Sequence, residues 1–332
     1  MVPNFDIAHT AGVREYCEGA VARLSSRLGL CSRESGALKR HFFGSLEACA
    51  ERIKNCLAEP YVPVIPEARA LYDYLGNLIV SPDSRIVGAS NLVRAYEMRR
   101  QGWNVLLVQN HTSGADMIAM EQLVARAGIG RTEDWSYMAG HVVNLYLIPM
   151  TLAGAFGRYQ IFSVKYRSLG SCGTEQQMHE QNCRALHTLM ERSRIGGQFL
   201  VVYPEGGRGE GRLLDGVPQT MKIPQIMADS PKGLVLVPTY ISGATSILPV
   251  HRGHNEFNEV LEYTKRGAAT LTVGEPVIWD NLKPCDRELE TAMEGARKRS
   301  IALNQCYIRK VMQLIADLAP TDNERGSYAK GC

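Results

Sequence analysis

The chain has 332 residues, of which 45% are hydrophobic, and this is enough for one large globular domain or two unequal ones. Its 37 Lys and Arg residues against 34 Asp and Glu residues give a net charge of only +3 at pH 7. Because proteins that bind nucleic-acid backbones carry a much larger basic excess, nucleic acid is excluded as an expected partner.

The cysteines and the first residues bear on the cellular compartment. Nine cysteines are spread along the chain with no CxxC pair and no cysteine–histidine cluster, a pattern typical of reduced thiols in a cytosol. Residues 1–15 show no basic segment followed by an apolar one, so no targeting peptide is expected. We therefore expect a cytoplasmic protein of bacterial origin.

Residues 11–101 have apolar side chains at helical spacing and predict about four helices. Breaks are expected around residues 30–34, at the proline-rich residues 60–66 and at the turn of residues 81–84. We expect residues 1–80 to form a helical bundle subdomain and residues 81–332 to form an α/β catalytic domain.

After residue 101, short apolar runs alternate with amphipathic segments, beginning with a strand at 105–109 and a helix at 117–127. Further strands are expected at 136–139, 160–164, 199–203, 234–240 and 269–273. A long helix should end at Gly196, and a last helix should span residues 287–318. This alternation predicts an α/β fold with a mixed, mainly parallel sheet flanked by helices.

Two stretches without charged residues, 135–157 and 233–250, invite comparison with membrane spans. Pro149 interrupts the first and Pro238 the second, so neither is a continuous apolar helix. Buried core is the prediction for both stretches, and peripheral contact with a membrane is the alternative.

The sharpest local motif is the segment 110–116, Asn-His-Thr-Ser-Gly-Ala-Asp, between a predicted strand and a predicted helix. An Asp side chain in the first turn of a helix leans back toward the preceding strand end, so Asp116 can accept a hydrogen bond from His111. That bond would fix the imidazole tautomer and leave the other ring nitrogen as a base. The alternative is a helix-capping Asp beside a hydrogen-bonded loop histidine.

A second motif follows the strand predicted at 199–203, where Pro204 and Glu205 precede Gly206, Gly207 and Arg208. Glycines let backbone amides approach an anion closely, and the arginine can add a bidentate contact to a phosphate. The alternative is a surface loop with a solvated arginine. The glycine spacing does not match a nucleotide-binding motif.

Together, the motifs resemble those of the glycerolipid acyltransferases, most closely the plastid-type, soluble glycerol-3-phosphate 1-O-acyltransferases. Four ordered segments carry the resemblance: the HxxxxD box of His111 and Asp116, then Gly157-Arg158 with Ile161, then 196–198 with 204–208, and finally Val237-Pro238 with Ile247 and Pro249. The similarity extends over residues 85–276.

The resemblance implies direct acyl transfer without an acyl-enzyme. His111 would take the proton from the 1-hydroxyl of glycerol 3-phosphate, and Asp116 would orient His111. The fatty acyl donor would be an acyl carrier protein or coenzyme A thioester, which acts as co-substrate, and no other cofactor is implied. The remaining histidines, including His251 and His254, show no ligand pattern, so no metal is expected.

The resemblance also implies a cationic clamp for the acceptor phosphate. The candidates for substrate binding are Glu205, Gly206, Gly207, Arg208, Arg158, Lys165, Arg167 and Arg212. Arg208 matches the family pattern best. This chain departs from the plastid-type pattern at Glu210, where a second arginine is expected, and at Lys165-Tyr166-Arg167, where a Lys-His pair is expected. Arg212 or Arg167 is the expected substitute, and a different acceptor is the alternative.

Two further surfaces are expected for the donor. Residues 142–148 are an apolar candidate for the acyl groove, with plain core as the alternative. Basic residues of the last predicted helix, 297–299 with Arg309 and Lys310, are candidates for contact with an acidic acyl carrier protein, with a solvated helix face as the alternative.

Two other functions remain open at this point. One is acylation of another acceptor, such as a lysophosphatidate, and the other is a non-catalytic module that binds acyl carrier protein or lipid. The intact pair of His111 and Asp116 argues against the non-catalytic module.

Overall fold

The computed structural model describes residues 11–56, 59–130, 132–140, 147–162, 174–209, 213–249, 263–294 and 298–330. The described residues between 11 and 100 contain four helices, α1 to α4, and so confirm the prediction for this segment. They are Ala11–Arg27, Ser32–Cys56, Pro66–Ile79 and Ala89–Arg100. Pro66 occupies the first turn of α3, where its missing N–H has no intrahelical partner to lose.

The centre of the molecule is a nine-stranded sheet. Strands β1 to β9 are Tyr61–Val62, Arg85–Val87, Asn104–Gln109, Ser136–Gly140, Gly157–Ile161, Phe199–Val202, Leu234–Ser242, Thr270–Val273 and Val277–Ile278. Their order is β1-β5-β4-β6-β3-β7-β8-β2, with β9 paired to β7. The pairs among β5, β4, β6, β3 and β7 are parallel, while β1–β5, β7–β8 and β7–β9 are antiparallel. The predicted mixed, mainly parallel α/β sheet is confirmed.

Eight more helices, α5 to α12, flank or follow the strands. They are Asp116–Arg126, Leu147–Ala153, Glu175–Ile195, Lys222–Ala228, Ala244–Ile247, Asp286–Glu294, Arg299–Ala316 and Asp322–Arg325. Helix α7 stops at Gly196, whose φ of 85° suits glycine, as the sequence predicted. In the part of the chain that is described, no helix is long and apolar enough to cross a membrane.

Two predicted elements were wrong in their bounds. The strand expected at 160–164 begins at Gly157, where a side chain would collide with the Tyr61 hydroxyl of neighbouring β1. Instead of the single last helix expected at 287–318, the structure has two helices, α10 and α11. They pack against each other through Ala292 of α10 and Ala302 of α11.

Strand β3 lies in the middle of the sheet and is buried along its whole length. Its alternate side chains enter two cores: Leu107 packs in the core that includes α1 to α5, and Leu106 in the core that includes α8 and α11. The N-terminal helices therefore share a core with the sheet, and β1 is one of its strands. The expected boundary at residue 80 stays a prediction.

A buried ion pair fixes α5 against the N-terminal helices. Arg69 of α3 contacts Glu121 of α5 at 2.5 Å, and the Tyr137 hydroxyl of β4 donates to the other oxygen of Glu121, also at 2.5 Å. Only 1% of the Glu121 side chain is exposed, and burial raises the pKa of its carboxyl. Because α5 begins with Asp116, these contacts also hold the first turn of α5 in place.

Candidate active site

The HxxxxD motif lies between the end of β3 and the start of α5, at the carboxyl edge of the parallel strands. Asn110, which follows β3, is tied to β7 by two hydrogen bonds: its side-chain amide donates to the Ile241 carbonyl at 2.9 Å and its oxygen accepts from the Ile241 N–H at 2.7 Å. His111 comes next, with 24% of its side chain exposed. Ligands in α/β sheets bind at this edge, so His111 is placed to meet a substrate.

Asp116 accepts four hydrogen bonds and is completely buried. Its Oδ2 accepts from His111 Nδ1 at 2.9 Å, from the Thr112 N–H at 2.6 Å and from the Ser113 N–H at 2.9 Å. Its Oδ1 accepts from the Thr112 hydroxyl at 3.0 Å. Asp116 does not cap α5, since the N-cap position is Ala115 and has no side-chain cap. The predicted contact between His111 and Asp116 is confirmed.

This arrangement assigns the imidazole proton. A carboxylate only accepts hydrogen bonds, so neutral His111 carries its proton on Nδ1 and presents a lone pair on Nε2. Nε2 is on the opposite side of the ring from Asp116. The pair can therefore accept a proton from a substrate hydroxyl, and the buried carboxylate stabilises the resulting imidazolium.

The segment after β6 encloses His111. The Tyr203 ring stacks on the imidazole with 4.3 Å between ring centroids and 27° between ring planes. The His111 N–H donates to Glu205 Oε2, and the His111 carbonyl accepts from the Gly209 N–H at 2.7 Å. Two motifs that are far apart in the sequence thus form one site.

Two residues expected to bind substrate have other contacts. Glu205 is 5% exposed, and its Oε1 accepts from the Leu214 N–H at 2.6 Å while its Oε2 accepts from His111. Arg158 is 0% exposed in β5 and donates to the Ala153 carbonyl at 2.7 Å. Both carboxyl oxygens of Glu205 and Nη1 of Arg158 thus contact backbone in the interior, and the role of the two residues in substrate binding stays a prediction.

The pH dependence of folding should weaken in a Glu205→Gln variant. Burial raises the pKa of Glu205 from 4.5 to about 8, Asp116 also raises it, and the Leu214 and His111 N–H groups lower it. The folded chain therefore binds more protons than the unfolded chain between these values, so this contribution to stability is present below pH 4.5 and is lost as pH rises through about 8. Gln is uncharged at every pH and lacks this effect.

Urea unfolding at intervals from pH 5 to 9 measures this effect. The unfolding free energy should decline with pH more in the wild type than in Glu205→Gln, by an amount of the order of several kcal/mol. An exposed glutamate on α4, Glu97, provides the control, since Glu97→Gln should follow the wild-type profile. Equal declines in wild type and Glu205→Gln would contradict the prediction.

The glycines after Glu205 shape the rim of the site. Gly206 is exposed and has φ of 63°, a left-handed conformation that favours glycine. Arg208 is partly exposed and reaches the loop that carries the HxxxxD motif: a Cβ built on Gly114 would lie 3.8 Å from Arg208 Nη1. A cation therefore lies beside the loop between His111 and Asp116.

Several other expected site residues lie outside the described residues. These are Lys165, Arg167, Glu210, Arg212, residues 142–146, His251, His254 and Arg297.

Of the basic residues expected to meet acyl carrier protein, Lys298, Arg299 and Arg309 are exposed, and Lys310 contacts Glu288 at 3.0 Å. Among the described residues, no group of three or more His, Cys, Asp or Glu side chains could hold a metal ion.

Sequence reasoning missed the contacts that hold His111 in place. The sequence places Tyr203 at the end of a strand and Glu205 among the candidate substrate contacts. The hydrogen bond between His111 and Glu205 joins residues 94 positions apart, so no local spacing reveals it. The only available signal was the order of strands: in a parallel sheet, the segments after β3 and β6 meet if those strands are neighbours.

Comparison with known proteins agrees with this geometry. Residues 91–250 match the family model Acyltransferase, a segment that includes His111, Asp116 and Arg208. The match covers 160 of the 332 residues and makes this segment similar to acyltransferase domains. The family supports an enzyme that transfers acyl groups and does not specify the acceptor.

Among solved structures, the chain is similar to the 1-acyl-sn-glycerophosphate (LPA) acyltransferase, PlsC, from Thermotoga maritima. The identity is 19%, the TM-score is 0.38, and the match covers 71% of this chain and 78% of that chain. A likeness this distant carries no inference about the substrate. A search of curated protein sequences returned no match.

Proposed function

We propose that this enzyme transfers a fatty acyl group from a thioester of acyl carrier protein or coenzyme A to the 1-hydroxyl of glycerol 3-phosphate, giving lysophosphatidate. The observation that carries the proposal is the His111–Asp116 pair, in which the Nε2 lone pair of His111 faces away from the buried carboxylate. Arg208 lies beside the loop that holds this pair. A base and a cation at one edge suit an acceptor with a hydroxyl and a phosphate.

The reaction proceeds by direct attack. His111 Nε2 removes the proton of the 1-hydroxyl as the oxygen bonds to the thioester carbonyl carbon. The tetrahedral intermediate then expels the thiolate, which takes the proton back from the imidazolium. The products are an ester and a free thiol, and Asp116 stabilises the imidazolium between the two steps.

Arg208 is the proposed contact for the acceptor phosphate. A guanidinium binds phosphate through charge-assisted bidentate hydrogen bonds, and Gly206 and Gly207 leave their backbone accessible to the anion. Lys165, Arg167 and Arg212 remain proposals for the rest of the clamp. Arg158, whose Nη1 donates to the Ala153 carbonyl, also remains a proposal.

Loss of the Arg208 guanidinium should raise the KM for glycerol 3-phosphate about ten- to a hundredfold, since hydrogen bonds to charged groups contribute about 1.5–3 kcal/mol. The KM for the acyl donor should change about twofold or less, because the thioester and acyl chain carry no anionic group and the donor's phosphates lie at the far end of its pantetheine arm. Initial rates of Arg208→Ala with each substrate varied in turn measure both values. Arg33→Ala, which removes an exposed arginine on α2, should leave both unchanged. Equal changes in the two KM values would reject Arg208 as the phosphate contact.

Lysophosphatidate is the second candidate acceptor, and Glu205 is the observation that favours it. The tripeptide Pro204-Glu205-Gly206 resembles the Pro-Glu-Gly (PEG) box of the wider glycerolipid acyltransferases rather than the plastid-type pattern, and Glu210 stands where the plastid-type pattern has an arginine. The same base and cation would serve this acceptor, whose free hydroxyl and phosphate have the same chemistry.

Thiol release separates these functions. A long-chain acyl carrier protein thioester is incubated with glycerol 3-phosphate, with lysophosphatidate or with neither, and the lipid product is identified by mass. Release that depends on glycerol 3-phosphate supports the proposal. Release that depends only on lysophosphatidate replaces it, and the absence of release with acyl carrier protein and coenzyme A donors would favour a non-catalytic module.

The donor surface and the compartment complete the proposal. Exposed Lys298, Arg299 and Arg309 offer positive charge to an acidic acyl carrier protein. A cytoplasmic enzyme would meet this carrier and glycerol 3-phosphate in the same compartment and would release its product to a membrane by peripheral contact.

A further inference from the structure

Tyr203 is the first residue after β6, and its ring forms part of the active-site wall. Tyr203 is partly exposed and its ring stacks on His111, while its hydroxyl oxygen is buried. Among the described residues, that hydroxyl has no hydrogen-bond partner. The aromatic ring, rather than the hydroxyl, is therefore the part of Tyr203 that meets the site.

The other contacts of His111 leave one motion open. Asp116 holds a single edge of the imidazole through Nδ1, and Glu205 and Gly209 hold only the backbone of His111. A ring held at one edge can still tilt about that bond, and the χ2 torsion of histidine has a broad energy minimum. Tilting moves Nε2 most, because it is the atom farthest from Asp116.

The Tyr203 ring blocks this tilt. Its centroid is 4.3 Å from the imidazole centroid, and an interplanar angle of 27° places the two faces in contact. Stacked aromatic rings at such distances attract each other, and the π face also favours the imidazolium. Among the described residues, the charged groups placed near His111 are Asp116 from α5, with Glu205 and Arg208 from the segment after β6.

We infer that Tyr203 is a positioning residue for His111: its aromatic face fixes the imidazole plane, so that Nδ1–H stays on Asp116 and Nε2 stays directed at the acceptor hydroxyl. The inference rests on the proposed role of His111 as the base. It assigns the effect to the ring alone. Phenylalanine at this position should therefore serve as well as tyrosine, and an aliphatic side chain should not.

Kinetics of Tyr203→Phe, Tyr203→Leu and Tyr203→Met test the inference. Tyr203→Phe should keep kcat within about threefold and fold at least as stably as the wild type, because it removes an unpaired buried hydroxyl. The Leu and Met variants should lose about ten- to a hundredfold in kcat, since misplacing a catalytic group by about 1 Å has effects of this size. Their KM for glycerol 3-phosphate should change by about twofold or less, because the ring does not contact the phosphate.

A second measurement does not depend on turnover. The ¹⁵N chemical shifts of histidine rings show which nitrogen carries the proton, and His111→Ala identifies the His111 signals among the eight histidines. Wild type and Tyr203→Phe should show one Nδ1–H tautomer, while the Leu and Met variants should show a second. Tyr203→Met is a second aliphatic variant, so that a folding defect specific to Tyr203→Leu does not decide the test. Thermal unfolding shows whether each variant is folded.

Wild-type kcat together with a single tautomer in folded Tyr203→Leu or Tyr203→Met would overturn the inference. A loss in Tyr203→Phe equal to that in Tyr203→Leu would also overturn it, because the hydroxyl would then be the active part. If the wild type transfers no acyl group while the aliphatic variants lose the single tautomer, the positioning role stands and the proposed function fails.

Discussion

His111→Ala should lower kcat by about two to four orders of magnitude, which is the contribution of a positioned general base. Without Nε2, the described residues of the site offer no other aligned base to remove the proton of the acceptor hydroxyl as it attacks. The neighbouring candidates do not replace it: Asp116 is buried under four hydrogen bonds, and Glu205 faces two backbone N–H groups. Thiol release at saturating concentrations of both substrates measures the loss.

His187→Ala is the matched control for this variant. His187 is an exposed histidine of α7, with 60% of its side chain exposed and Glu191 3.7 Å away, so its removal should leave kcat unchanged. Thermal unfolding of His111→Ala shows whether the loop and Tyr203 keep their packing. A folded His111→Ala protein with wild-type kcat would mean that another group removes the proton.

The contact between His111 and Asp116 could be predicted because its determinants are local. A strand delivers His111 at the sheet edge, a helix starts five residues later, and the first-turn side chain of that helix points back toward the strand. Strand β3 and the two strands beside it in the sheet, β6 and β7, were also predictable as buried strands from their short apolar runs. These features need no knowledge of which strands are neighbours.

The environment of His111 could not be predicted in the same way. Tyr203, Glu205 and Gly209 reach His111 only because β6 pairs with β3, and this pairing depends on the packing of the whole sheet. Arg158 shows a related limit: the family resemblance implies a phosphate contact, whereas β5 buries this arginine and its Nη1 donates to the Ala153 carbonyl. Nothing in local sequence distinguishes a buried arginine that donates to a backbone carbonyl from one that faces solvent.

Asp116→Asn should lower kcat by about a hundred- to a thousandfold while keeping the geometry of the loop. The amide oxygen of Asn can take the place of Oδ2 and accept from His111 Nδ1 and from the N–H groups of Thr112 and Ser113. Its NH₂ group then faces the Thr112 hydroxyl, which can rotate to accept. The variant therefore removes the negative charge but not the hydrogen bonds.

The expected loss follows from the charge on His111 during the reaction. The imidazole becomes imidazolium only as the acceptor oxygen attacks, so Asp116 stabilises the transition state more than the ground state. Two unit charges about 4 Å apart interact by about 4 kcal/mol at an effective dielectric constant of about 20, which sets an upper limit near a thousandfold. Stopped assays at saturating substrate, well below the unfolding temperature, measure kcat.

Thr112→Val separates this effect of charge from the effect of the loop. It removes the hydroxyl that donates to Oδ1 but keeps the carboxylate and the Thr112 backbone N–H, so kcat should stay within about threefold of wild type. If Asp116→Asn retained wild-type kcat with the same His111 tautomer, the carboxylate charge would be unnecessary and the role of Asp116 would be limited to orienting the ring. A loss in Thr112→Val as large as that in Asp116→Asn would instead show that the structure of the loop, and not the charge, controls the base.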